Sequence, residues 1–150
     1  MQKEKSIRNF IELKKDFGTA KTAIASIGGI GVGVVALCGH GYGVRQILNI
    51  SKKGKKKHFR YFDNYQKNFA VELAKRGCVV IAPELFGFGE ARLKKDLRKP
   101  FYISSCDELS HHLLPYGLTT ASVRIAQALT CVKVLRENEL VDSDKISVMG

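Results

Sequence analysis

The sequence predicts an α/β fold in three layers, a mostly parallel sheet flanked by helices. Three observations predict it. Val34-Val35-Ala36-Leu37-Cys38 and Cys78-Val79-Val80-Ile81-Ala82 are apolar at every position, the pattern of strands buried on both faces of a parallel sheet. A third short run, Ile146-Ser147-Val148-Met149, leads into Gly150. Helical patterns separate these runs, and each connection is long enough for the right-handed crossover that parallel strands need.

Taken in order, the chain opens with Ile7, Phe10, Ile11 and Phe17, spaced for one face of an amphipathic helix that Gly18 would end. Residues 20–33, rich in Ala, Ile and Gly, fit helix, strand or loop equally. Residues 1–33 therefore read as an N-terminal helix and lead-in, and residues 34–150 as the principal domain. After the first strand, Phe62, Tyr65, Phe69, Ala70, Leu73 and Ala74 form a helical stripe, closed by Lys75-Arg76 and Gly77. Pro83 stops the second strand. Residues 93–115 lack a clean period and read as an excursion over the top of the sheet. Leu118, Ala121, Ile125, Ala128, Leu129, Val132 and Leu135 mark a long amphipathic helix, and Asp142-Ser143-Asp144 is turn chemistry before the third strand.

Composition narrows the function classes. At 150 residues, one domain with one sizeable core is expected. The net charge of +11 admits an anionic partner. The densest basic run, Lys52 to Arg60, reads as a solvated connection with no nucleic-acid module beside it, so no nucleic-acid partner is expected. Thr22 to Gly39 carries no charged side chain, but its glycines lower its hydrophobicity and its length is marginal for a membrane span. It also lies too deep for an ordinary cleaved leader. No membrane partner is expected, and the oligomeric state is left open. Cys38, Cys78, Cys106 and Cys131 are far apart with no C-x-x-C pair, which argues for free thiols in a reducing cytoplasm and against a metal or disulfide framework. No cofactor is expected.

In a parallel sheet all strands end on one edge, where ligands bind. His40-Gly41-Tyr42, the Glu84–Gly89 loop and Gly150 converge there. The glycines of Gly39-His40-Gly41-Tyr42-Gly43 allow a sharp turn whose backbone N–H groups could hold an oxyanion, although a phosphate-binding or merely tight turn fits as well. The dinucleotide fingerprint G-x-G-x-x-G fails at Gly39, because Val44 stands where the last glycine belongs, and at Gly29, where Val34 does. His40 reads as a histidine that packs or hydrogen-bonds to shape the turn. Glu84, at a strand end, could be catalytic or could brace neighbouring loops. A Ser or Cys nucleophile among Ser104, Ser105 and Cys106, or metal ligation by Asp107, Glu108, His111 and His112, matches no pattern of spacing.

Several segments together resemble the α/β-hydrolase superfamily, and within it the bacterial acetyl esterase, acetylxylan esterase and dienelactone hydrolase-like group. They are Gly39-His40-Gly41-Tyr42-Gly43, Phe69 to Gly77, Val79-Val80-Ile81-Ala82-Pro83-Glu84 with Gly87-Phe88-Gly89-Glu90, Thr120 to Arg136, and Val141 to Gly150. The resemblance implies a serine carboxylic-ester hydrolase acting on a small-molecule ester. It implies an oxyanion-hole N–H from the backbone at Gly41 and Tyr42. It also implies that Gly150 is the first glycine of the nucleophile elbow G-x-S-x-G. The serine would stand two residues past Gly150, with the acid and histidine later, so the nucleophile is absent from these 150 residues and no ester hydrolysis is expected of them alone. His58, His111 and His112 all precede the elbow. Two other readings remain at this stage: a small anion- or nucleotide-binding module and a basic nucleic-acid-binding protein.

Overall fold

The computed structural model describes residues 10–12, 22–25, 31–49 and 66–150. Its strands are β1 (Phe10–Glu12), β2 (Thr22–Ala25), β3 (Gly31–Ala36), β4 (Val79–Pro83) and β5 (Val141–Met149). They form one sheet in the order β1-β2-β4-β3-β5. β3 is parallel to both β4 and β5, while β2 is antiparallel to β4 and β1 to β2. The helices are α1 (Val44–Leu48), α2 (Phe69–Lys75), α3 (Cys106–Leu113) and α4 (Thr120–Arg136).

Alternation along β3 and β4 divides the core between the two faces of the sheet. Val34, Ala36, Val80 and Ala82 pack with Val44, Ile47 and Leu48 of α1 and Ala70 and Ala74 of α2. Val35, Val79 and Ile81 pack with Cys131 and Leu135 of α4 and with Val141. The all-apolar runs are thus strands covered on both faces, as the sequence predicts. Gly33 allows β3 to approach β5 and α4 closely, since a Cβ there would lie 2.8 Å from Val141 Cγ1 and 3.4 Å from Leu135 Cδ1.

Several details differ from the sequence-based expectations. The helix expected over Ile7–Phe17 falls partly outside the described residues, and its described part, Phe10–Glu12, is strand β1 with Phe10 opposite Ala25. A neighbouring strand offers backbone partners that a helical period in three residues cannot outweigh. The stripe beginning at Phe62 is described from Phe69 onward, where it is α2. The lysine run and His58 lie outside the described residues. The first strand starts at Gly31, three residues early, and the Val44–Leu48 segment forms a short helix bounded by Gly43 at φ +61° and Asn49 at φ +52°.

The long helix is present, and the C-terminal part of its expected stripe, Val132 and Leu135, faces inward, but the part before it does not. Cys131 and Leu135 are buried, whereas Ile125 and Leu129 are 61% and 58% exposed. Arg124 and Gln127 turn toward the sheet edge instead, because unpaired backbone groups there need partners. The Asp142–Asp144 turn lies inside β5. Gly31 pairs with Val141 and Gly33 with Ile146, so Asp142 to Lys145 stand against Val32 alone. Asp142 Oδ1 accepts from the Asp144 amide at 3.2 Å, the hydrogen bond of an Asx turn.

Candidate active site

The edge where β3, β4 and β5 end is built from the loops after β3 and β4 and from Gly150 after β5. The backbone leaves β3 through Leu37, whose N–H donates to Met149 O at 2.7 Å, and so stays in register with the end of β5. Gly150 follows immediately. A Cβ on Gly150 would stand 3.2 Å from both Cβ and O of Leu37, so the backbone of the third junction lies against the backbone that feeds the first. The chain then turns through Gly41, at φ +130°, and Gly43. L side chains avoid this φ region, which is why the turn is written with glycines.

Glu84 fixes that turn. It directly follows β4, is 1% exposed, and its Oε1 accepts from the Val44 N–H at 3.0 Å. Its Oε2 accepts from the Glu90 N–H at 3.4 Å. One carboxylate therefore ties the loop after β3 to the loop after β4. Gly43 and Gly89 flank it so closely that a Cβ on either would collide with the carboxylate oxygens. Burial pushes the Glu84 carboxyl up to about 7, against the opposing pull of its two amide donors; the Glu90 charge adds to the rise and Arg45 opposes it. Glu84 is thus a brace, the second of the two roles open to it from sequence.

A second set of contacts ties the same turn to the excursion and to α4. His40 Nε2 lies 2.9 Å from Ser104 Oγ, and its ring meets Phe88 edge-on with centroids 5.2 Å apart. The histidine packs and hydrogen-bonds, in line with its reading as a shaper of the turn. Arg124 donates through Nε and Nη2 to Phe86 O at 3.0 and 2.8 Å, and lies 4.1 Å above the Phe88 ring. Its Nη2 is also 2.9 Å from Cys106 Sγ. Gln127 accepts from the Phe86 N–H at 2.9 Å. Arg45 pairs with Glu90 and stacks 4.2 Å over Phe101. The Tyr42 ring meets that of Tyr102 at 6.1 Å.

The structure therefore brings Gly41, Tyr42 and Gly150 to one edge. It keeps His111 and His112 on exposed positions of α3, where His111 Nδ1 lies 2.9 Å from Asp107 O. Sequence reasoning missed Arg124 and Gln127, and weighed Ser104 as a nucleophile, not as a partner of His40. The signal was available for the first two: spaced by three, and seven and four before Cys131, they lie on the inward side of α4. Among the described residues no three His, Cys, Asp or Glu side chains converge to hold a metal. All four cysteines are free, and burial raises the Cys38 and Cys131 thiols to about 12 and about 11. No single described helix is long and apolar enough to cross a membrane.

No family model matches the chain, and neither does any curated protein. Among solved structures, it is similar to a Bacteroides fragilis protein assigned provisionally as an acetyl xylan esterase, with a TM-score of 0.67 and 18% identity. The match covers 86% of this chain but 34% of that one, so the chain spans about a third of its length. At this identity the likeness establishes fold alone: a sheet with three parallel strands between helices, of the α/β-hydrolase type.

Proposed function

We propose that this chain supplies the oxyanion-binding part of a serine carboxylic-ester hydrolase site, acting on small-molecule esters of the acetyl ester class. The observation that carries the reading is the Leu37–Gly150 contact. It sets the strand-to-glycine junction of β5 against the strand that leads into Gly41 and Tyr42. A serine two residues beyond Gly150, on a strand-to-helix elbow, would then face the turn after β3.

In the proposed reaction the serine Oγ attacks the ester carbonyl carbon while a histidine takes its proton. The tetrahedral oxyanion accepts a hydrogen bond from the Tyr42 N–H. The proton passes to the departing alcohol, and water then cleaves the acyl-serine. The role of this chain's residues is to hold the donor still. Glu84 and Gly43 fix the exit of the turn and His40–Ser104 its entry. Removal of one oxyanion donor costs about a hundredfold to a thousandfold in kcat in such sites, so a braced turn is a kinetic requirement.

The test compares the 150-residue chain with a version that carries the residues encoded after Gly150. The first should neither hydrolyse a chromogenic short-chain acetate nor be labelled by a serine-directed phosphonate. The second should do both, through an x-S-x-G continuation. Phosphonate-sensitive turnover by the 150-residue chain would sink the proposal, since its nucleophile would then lie elsewhere.

A further inference from the structure

The excursion between β4 and α3 touches the site through Phe101 and Tyr102 and carries a further exposed surface. Lys94-Lys95-Asp96-Leu97-Arg98-Lys99-Pro100-Phe101-Tyr102-Ile103 concentrates cations and apolar side chains in one segment. Leu97, Tyr102 and Ile103 are 43%, 51% and 36% exposed, and Lys94 and Arg98 are exposed with no ion pair among the described residues. Lys95 and Lys99 are held by Glu108 and Asp96. The segment is built as a rigid platform. Arg92, itself buried, donates to Gly89 O at 2.7 Å, Pro100 O at 2.9 Å and Ile103 O at 2.8 Å. Ser105 Oγ accepts from the Leu93 N–H at 2.9 Å and donates to the buried Asp96 at 2.7 Å.

We propose that this platform is a docking surface for an anionic lipid bilayer, with Leu97, Tyr102 and Ile103 entering the interface and Lys94 and Arg98 facing the headgroups. Three properties favour lipid. Two of the three exposed apolar groups are aliphatic, which suits acyl chains and offers nothing for bases to stack on. The aromatic is a tyrosine, whose polar tip suits the headgroup level. The chain's net charge of +11 adds long-range attraction to an anionic leaflet. The absence of a membrane partner expected from the sequence rested on the lead-in and the lysine run, not on this segment. The inference stands apart from the esterase reading, and its test requires no turnover.

The chain contains no tryptophan, so Tyr102→Trp places a single reporter in the platform. Its emission should shift to the blue with vesicles of 70:30 phosphatidylcholine:phosphatidylglycerol and not with phosphatidylcholine alone. The Lys94→Glu/Arg98→Glu variant should lose about tenfold or more in partitioning, and Leu97→Ser/Ile103→Ser should abolish the shift with the melting temperature unchanged. Neutralising Lys55, Lys56 and Lys57 to Gln separates the platform from the lysine run. Vesicle binding that vanishes in that variant yet survives Leu97→Ser/Ile103→Ser overturns the proposal. So does vesicle binding without a blue shift, or binding to duplex DNA in the absence of vesicle binding.

Discussion

The β4–β3 end of the sheet and its β5 flank are finished in different ways. At the ends of β3 and β4, backbone groups are claimed by side chains from the loops and α4: Val44 and Glu90 amides by Glu84, and both backbone groups of Phe86 by Gln127 and Arg124. Along β5, Val148 and Met149 are 55% and 47% exposed, and β5 pairs with β3 alone among the described residues. On α4 beside it, Ile125 and Leu129 are more exposed still. The first region gets its geometry from buried polar bonds, which are directional and fix a turn. The second offers an edge strand and apolar area, which are adhesive and fix nothing until another surface arrives.

The largest effects should fall on the braced side and in the core beneath it. Gly43→Ala puts a methyl into the Glu84 carboxylate at a φ of +61°, and should cost about 3 kcal/mol or more in urea unfolding. Leu135→Ala, at a side chain with no exposure, should cost about 2–5 kcal/mol, whereas Leu129→Ala on the same helix should stay within about 0.5 kcal/mol. Equal losses at the two leucines would erase the contrast between the regions.

A pH titration sharpens the role of Glu84. Its folded carboxyl, raised to about 7, binds a proton that the unfolded chain releases near the ordinary value of 4.5. The folded state therefore holds more protons between these values, and stability should fall as pH rises from about 4.5 to about 7, by on the order of 3 kcal/mol. Above that window the contribution levels off. In Glu84→Gln this fall should disappear from the variant's own stability profile and so appear in full in the wild-type minus variant difference; an unchanged slope in the variant would place the titration on another group.

Smaller effects belong to the helix start and to the open flank. Thr119 Oγ1 accepts from the Ser122 N–H at 3.0 Å and Ser122 Oγ accepts from the Thr119 N–H at 3.0 Å, so Thr119→Ala should cost α4 about 1 kcal/mol in thermal unfolding. Val148→Lys on β5 should leave stability within about 0.5 kcal/mol and reduce self-association in light scattering. A loss of several kcal/mol there would mean that β5 is packed and not bare.

The parallel core was legible because its strands are apolar at every position, a pattern that only burial on both faces explains. The edge of the sheet was legible in part. Glycines announced the turns, and a glutamate after a strand announced a brace or a catalyst, but only the coordinates bring the carboxylate between Gly43 and Gly89. The first half of α4 was misread because Ile125 and Leu129 look like core residues by type, while Arg124 and Gln127 look like surface. Their inward placement answers a need for hydrogen bonds in the loop after β4, which hydrophobic period does not encode. Helix α3 was missed because a single buried apolar residue, Leu109, gives no period to detect.

The four residues from Asp142 to Lys145 that face Val32 have a consequence for how this region tolerates changes in length. In an ordinary strand, deletion of one residue flips every later side chain to the opposite face. Here the excess is gathered in a loop closed by Asp142 with Asp144 and Lys145, below the stretch that pairs Ile146 with Gly33 and Met149 with Ala36. A residue removed from that loop shortens slack, so Ile146 keeps its face and Gly150 keeps its place beside Leu37. The strand end is set from above by β3, independently of how many residues arrive from below.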